Sequence, residues 1–407
     1  MSTATPVAIH KLSAAPEPQR RVFYAPELDA LRFLAFILVF FRHVAGVLGN
    51  TLRSAHGTAA IATAVGTTSA PPVRDSFSLG AIQSLDFGVC LFFFLSSFLI
   101  TRLLLIEKSS SGTVAVRDFY VRRCLRIWPL YFFFLALIGL CSLLVPVLHV
   151  TAGRMLVSVL FIANWAAVLH GWASISIQPL WSVSVEEQFY LVWPNFARYG
   201  RSAIIGVSVA LAAVSVGTLI YLGHRAGTEV TATWPNTLVQ ALFLSAGALT
   251  ACLSSPETRT ISLLARLVLG VGGFACWVLA GGGLHIVATH SPGTLNLVGG
   301  YLLVLLGTFA LFTAVAGWDR GAVPKSLVYL GKISYGLYVF HVASLLVTED
   351  LMDRTALAHH SPYLLVGAIG VAGLALTVTC AVLSYTCLEK PFLKLKKRFT
   401  VVASRPV

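Results

Sequence analysis

Asp29, Arg32 and His43 stand where an apolar helix should carry no charge, inside the stretch Glu27–His43, ELDALRFLAFILVFFRH. An ionisable side chain at membrane depth costs several kcal/mol unless it faces a partner or a wet cavity, so each is a functional candidate. Arg32 and His43 are eleven residues apart. At about 100° per residue that is three turns plus roughly 20°, with a rise of about 16 Å, so both point to one side of the helix. A cation near the helix start and a titratable base further in suit a channel that holds an anionic ligand at one end and does proton chemistry at the other.

Four more stretches put reactive side chains into apolar surroundings. In GVCLFFFLSSFLITR, Ser96 and Ser97 interrupt a solid apolar run; they read either as back-bonding hydroxyls that let helices pack closely or as cavity groups. RDFYVRRCLRIWPLY places Arg122 and Arg126 one turn apart, with Arg123 three residues before Arg126. Guanidinium forks there suit phosphate, and equally suit plain anchoring at the membrane edge. In WSVSVEEQFYLVW two adjacent carboxylates sit in an aromatic run. Ser184 and Glu187 fit a capping box, which leaves Glu186, with Tyr190, to line a polar cavity, orient an imidazole or hold a hydroxyl substrate. LGKISYGLYVFH carries Ser334, Tyr335, Tyr338 and His341; the tyrosines read as interfacial belt and His341 as a structurally satisfied histidine or a site group. The closing CLEKPFLKLKKRF reads as an interfacial basic helix.

The elements that must position these groups are membrane helices. The 407 residues are 57% hydrophobic and only 11% charged, with a mean hydropathy of +0.82, against about 25% charged in soluble domains. The net charge of +13 sits in short segments between apolar runs, a positive-inside pattern that excludes a nucleic-acid-binding domain. The seven cysteines show no CxxC and no metal-ligand spacing, so no metal is expected and they read as small core residues.

Apolar runs fall at about 27–49, 78–106, 123–148, 155–170, 182–198, 202–222, 236–253, 261–281, 294–316, 327–348 and 362–387. Basic clusters place both termini in the cytoplasm, which requires an even number of crossings. About ten helices around a central polar cavity follow, with 155–170 or 182–198 re-entrant or broken beside the site. Residues 1–22 are expected to be a disordered cytoplasmic N-terminus, 23–396 the membrane domain and 397–407 a cytoplasmic tail.

Taken in order, LDALRFLAFILVFFRH, FFFLSSFLI, FYVRRCLRIWPLYFF, LWSVSVEEQFYLVWP and LGKISYGLYVFH with LEKPFLKL resemble the acyltransferase family 3 of integral-membrane O-acyltransferases, over about residues 24–396. The resemblance implies a stand-alone member without an SGNH-type domain, in a bacterial inner membrane. Such an enzyme passes an acyl group, most simply acetyl, from cytoplasmic acyl-CoA to a hydroxyl of a glycan or lipid-linked acceptor. It makes Arg32 and His43 the paired functional residues of the first helix, with His43 catalytic. CoA becomes the ligand of Arg122, Arg123 and Arg126, with Ser96, Tyr190, Tyr335 and His341 as further donor-binding candidates and Glu186 as a catalytic one. Two positions depart from the family pattern: Ser97 stands where glycine is usual, which puts close approach of a helix or the pantetheine arm in doubt, and Arg42 precedes His43, where it either snorkels outward or faces the cavity beside that imidazole.

On this reading neutral His43 is a general base on the acceptor hydroxyl, an acyl-histidine intermediate being the covalent alternative. A transporter or proton-coupled exporter built on the same buried His, Glu and Arg residues is the rival, against which the lack of an inverted internal repeat argues.

Overall fold

A computed structural model of the chain describes residues 23–56, 77–172, 175–225, 230–254, 261–287, 292–319, 321–355, 361–400 and 402. The expected disordered N-terminus, 1–22, and most of the long loop after the first helix lie outside the described residues. In chain order the helices are α1 (Pro26–His56), α2 (Phe77–Gln83), α3 (Gly88–Ser111), α4 (Val116–Cys141), α5 (Ala152–Val159), α6 (Ala163–His170), α7 (Leu180–Ala197) and α8 (Arg201–His224). They continue with α9 (Val230–Thr233), α10 (Thr237–Leu253), α11 (Leu263–Val278), α12 (Thr294–Val315), α13 (Lys325–Lys332), α14 (Ser334–Met352), α15 (Pro362–Ser384) and α16 (Lys390–Lys396). No strand occurs among the described residues. The chain is an all-helical polytopic membrane protein.

Seven helical stretches are long and apolar enough to cross a bilayer: Pro26–Gly49, Phe77–Ser111, Val116–Cys141, Arg201–His224, Leu263–Gly283, Thr294–Val315 and Pro362–Phe399. The pair α13 and α14, bent by 72° where they meet, makes an eighth if it counts as one span. The expected number of about ten is therefore not reached among the described residues. Helix α10 has only 17 residues, short of the ~20 that span a hydrocarbon core, and α7 carries the two carboxylates that dilute its apolar character.

Two of the apolar runs are broken rather than continuous. Run 155–170 splits into α5 and α6 around Phe161, whose φ of 55° lies in the left-handed region. A bulky residue holds that conformation only when its surroundings over-determine it. The Phe161 ring stacks on Tyr131 at 4.5 Å and its carbonyl accepts from Gln188 Nε2 at 2.9 Å. The second break, at Ile333 between α13 and α14, was not expected from the run 327–348. Beside it the chain packs closely on α1, where a Cβ at Gly331 would collide with the Asp29 carbonyl oxygen.

The same device brings α10 against α3. A Cβ at Gly247 would meet both the Phe94 carbonyl oxygen and Ser97 Oγ. The close approach that Ser97 put in doubt is thus supplied from the other side of the contact, as small residues do at membrane helix interfaces. Gly331→Ala is expected to cost about 1–3 kcal/mol through overpacking, measured as a lower thermal midpoint and a lower folded yield of detergent-solubilised protein; an unchanged midpoint would show that α13 can slide off α1 freely.

The cysteines do not all pack in the core. Cys90 and Cys252 are buried, Cys387 is exposed and the other four are intermediate, all seven unbridged. Apolar residues on a membrane helix can face lipid as well as protein, which hydropathy alone does not distinguish.

Candidate active site

Helices α1, α3, α4 and α7, the α13–α14 break and the C-terminal segment enclose a cavity of about 350 Å³. Arg32 and Asp29 line it from α1, with Arg32 Nη1 3.1 Å from Asp29 Oδ1. From α4 the lining side chains are Arg123 and Arg126; Lys332 comes from α13, and Lys396 and Lys397 from the chain end. Six cations thus meet two carboxylates, Asp29 and Glu186, around one space. Such a surplus of positive charge in a partly enclosed cleft attracts anions.

The three candidate arginines of α4 do not act together. Arg123 lines the cavity between the Phe119 and Tyr190 rings, its Cζ 5.5 and 5.2 Å from their centroids. Arg122 lies outside the lining and is already satisfied: Nη2 is 2.8 Å from Glu107 Oε2 and Nη1 donates to the Phe399 carbonyl at 2.8 Å. Neighbouring helix positions differ by about 100°, so a cluster in sequence is divided between a cavity and a structural ion pair.

Deeper in, hydroxyls form two networks. Tyr190 OH donates to Glu186 Oε2 at 2.7 Å and is itself bonded by Ser96 Oγ. The tyrosine has one proton, so Ser96 is the donor to Tyr190. Ser97, by contrast, back-bonds to Phe94 O at 3.1 Å; of the two serines only Ser96 faces the cavity. The capping box expected of Ser184 and Glu187 does not form. Helix α7 starts at Leu180, directly after Pro179, so Ser184 is a turn inside it and donates to Leu180 O at 3.1 Å, while Glu187 accepts from Trp128 Nε1 at 3.1 Å.

The second network closes the inner end. Ser182 Oγ donates to Pro179 O at 3.0 Å, so the 2.8 Å contact with Tyr338 has Tyr338 OH as donor. Both residues line the cavity, as do Ser334 and Tyr335, whose hydroxyl is committed to Ile127 O at 3.2 Å. Behind Tyr338 lies His341, fully buried, its ring centroid 5.4 Å from that of Tyr338. His341 Nδ1 sits 2.6 Å from the Tyr338 carbonyl. A carbonyl only accepts, so Nδ1 carries the proton and Nε2 presents a lone pair, which has no partner among the described residues.

His43 does not line this cavity. Its ring meets His341 edge-on, 5.0 Å between centroids, and is half-buried. Arg32 is therefore in the cavity and His43 one side-chain layer beyond its inner end, with Tyr338 and His341 between. Arg42 does not snorkel outward: its Nε lies 3.3 Å from Asp86 Oδ2, an ion pair between α1 and the turn before α3.

Arg32, Arg123, Arg126, Ser96, Glu186, Tyr190 and Tyr335 are the candidates that the fold brings to one cavity, from α1, α3, α4, α7 and α14. The family model described as an acyltransferase domain matches residues 26–386, nearly the whole of this bundle. The chain belongs to that acyltransferase family. It is 25% identical over 331 residues to the peptidoglycan O-acetyltransferase OatA of Listeria monocytogenes, a match covering 75% of this chain and 51% of that protein. A provisionally named O-acetyltransferase of Staphylococcus aureus strain COL is 27% identical over 336 residues, 75% of this chain and 52% of the other. A provisionally named peptidoglycan O-acetyltransferase of Bacillus subtilis, YrhL, is 25% identical over 300 residues, 65% and 45%. The chain spans about half the length of the curated relatives it matches. No solved structure matches.

Lys332, Lys396, Lys397 and Ser182 carry no site role in the sequence reading, which takes Tyr338 as interfacial belt. The two tail lysines read there as part of an interfacial basic helix; in the structure that helix follows the buried Glu389 and carries a proline in its first turn.

Proposed function

We propose that this chain is a membrane O-acetyltransferase that takes acetyl from cytoplasmic acetyl-CoA and passes it to a hydroxyl of an envelope glycan. The observation that carries the reading is the cavity itself, lined by six cations and by the Ser96, Tyr190, Ser182 and Tyr338 hydroxyls, with the His341 and His43 imidazoles in a layer behind Tyr338. Phosphates of the donor dock on these cations, where Arg123 and Arg126 offer guanidinium forks. By the positive-inside rule the cations face the cytoplasm of a bacterial inner membrane, with both termini on the same side. From Arg32 to His43 the helix rises about 16 Å, a distance an extended pantetheine arm bridges.

The thioester reaches His43 by displacing the Tyr338 side chain at the inner end of the cavity, with His341 kept against the His43 ring. Neutral His43 accepts the proton of the acceptor hydroxyl while its oxygen bonds to the thioester carbonyl carbon. The carbon–sulfur bond then breaks, and the CoA thiolate leaves and takes up the proton from the imidazolium. His341, with Nδ1–H held by Tyr338 O, directs its Nε2 lone pair at a proton donor and positions the neighbouring ring. Glu186, through Tyr190 and Ser96, orients the arm of the donor.

The printed name of OatA, a peptidoglycan O-acetyltransferase, makes a peptidoglycan-like glycan the first acceptor to test. Purified protein in nanodiscs is expected to be stabilised by CoA, by about 2.7 kcal/mol at one hundred times the dissociation constant, and to release free CoA when glycan is added to acetyl-CoA. Envelope glycans of cells lacking the gene should lose an acetyl ester. Neither stabilisation by CoA nor an acetyl difference would leave the proton-coupled exporter as the better reading.

A further inference from the structure

The last described residues form one wall of the cavity, and this wall has features that anchoring in the lipid interface does not need. Tyr385, Leu393, Lys396, Lys397 and Thr400 all line the cavity. Of the exposed lysines of the same segment, Lys397 lines the cavity and Lys390 and Lys394 do not. If the segment only met lipid headgroups, its cations would share the outer face; instead Lys396 is half-buried and turned inward.

The wall is fastened in place. Arg122 donates to Phe399 O at 2.8 Å while paired with Glu107, which is 3% exposed and also accepts from Ala115 N at 2.9 Å. The committed arginine of α4 thus ties the chain end to α3 and leaves the cavity to its neighbours. At the start of the wall α15 passes into a π-turn, Tyr385–Glu389, the kind of bulge that re-aims side chains at functional sites. Tyr385 lines the cavity there, 4% exposed, with its hydroxyl without a partner among the described residues. A buried phenol left unsatisfied is costly and calls for an acceptor that the described residues do not supply. Lys332 Nζ stands 5.7 Å over the same ring. Glu389, whose carboxylate would oppose an anion, does not line the cavity.

We infer that Lys332, Lys396, Lys397 and Tyr385 form a cradle for the phosphorylated nucleotide end of the acyl-CoA donor, with the Tyr385 hydroxyl donating to a phosphate oxygen. The inference rests on the donor reading above and deepens it: these four side chains join Arg123 and Arg126 around the same space, and they make the protein discriminate CoA from the same thioester without phosphates. The shared chemistry is a phosphate group, which an anionic lipid headgroup could also provide, so both sources enter the test.

Full-length protein is reconstituted in nanodiscs of purely zwitterionic lipid and, separately, with anionic lipid. Acetyl-CoA is compared with phosphate-free acetyl-pantetheine as donor, and CoA with pantetheine in thermal stabilisation. The wild type is expected to prefer acetyl-CoA and to be stabilised more by CoA than by pantetheine. Lys396→Ala and Lys397→Ala should each lower the kcat/KM preference for acetyl-CoA over acetyl-pantetheine by about tenfold, and the double variant by more. Lys396→Arg should restore most of it, and the exposed control Lys394→Ala should leave the preference as in the wild type. Tyr385→Phe, which keeps the ring, should lower it several-fold.

An unchanged preference in the Lys396→Ala/Lys397→Ala variant overturns the cradle while leaving the acetyltransferase reading standing. A lysine effect confined to anionic nanodiscs, and present for both donors alike, assigns the wall to lipid headgroups and also overturns it. Wild-type protein that transfers from neither donor refutes the activity, whereas stabilisation by CoA over pantetheine that is lost in the double variant still upholds the cradle.

Discussion

His43→Ala is expected to abolish acetyl transfer while leaving a folded protein in the membrane, with a loss of at least about 10²–10⁴-fold in kcat, the range that general-base removal covers. The half-buried imidazole makes its ring contact with His341 and no hydrogen bond among the described residues, so its removal takes away little that holds α1 in place. Donor affinity should stay close to that of the wild type, because Arg32, Arg123 and the tail lysines remain where they were. The measurement is acetyl transfer in membrane vesicles beside CoA-dependent thermal stabilisation. Loss of transfer with retained stabilisation is the expected pair; transfer at the wild-type rate would remove His43 from the chemistry and point to His341, whose free Nε2 is the other neutral base at the inner end.

The position of His43 also shows what a helical repeat can and cannot determine. Eleven residues of spacing correctly place Arg32 and His43 on one side of α1, and the rise between them follows from helix geometry. Whether they share one open space depends on α14, which the 72° bend at Ile333 swings across that side so that Tyr338 and His341 stand between. Next to the bend Gly331 packs against the Asp29 carbonyl, a contact between segments some 300 positions apart that no local pattern encodes.

The division of the arginines has a similar origin. RDFYVRRCLRIW carries the spacing of a cationic face, and Arg123 and Arg126 do face the cavity. Arg122 turns to Glu107, a residue on the preceding helix whose role depends on how α3 and α4 pack. The tail departs from expectation for a different reason: basic amphipathic helices usually lie at the membrane surface, whereas this one follows a π-turn, Tyr385–Glu389, and Lys396 and Lys397 line the cavity. By contrast Ser96, Glu186 and Tyr190 were legible because polar groups in apolar aromatic runs need partners wherever they sit, and here they find each other.

Because that trio is linked, its substitutions should not add. Tyr190 OH donates to Glu186 and accepts from Ser96, and Arg123 stands over the Tyr190 ring. Hydrogen bonds to a charged group are worth about 1.5–3 kcal/mol, so Glu186→Gln is expected to lower kcat/KM for acetyl-CoA by about 10–150-fold. Tyr190→Phe keeps the ring under Arg123 but breaks both bonds, and should cost a similar factor. If the two residues work as one unit, the double variant loses no more than the worse single, which in a double-mutant cycle is an interaction energy as large as either effect. Glu186→Gln with full activity, or single losses that multiply in the double variant, would mean that the carboxylate and the phenol serve separate steps. The cycle also separates site from scaffold: Ser96 belongs to the same chain of bonds, so Ser96→Ala should be nearly silent on the Tyr190→Phe background and costly on the wild type.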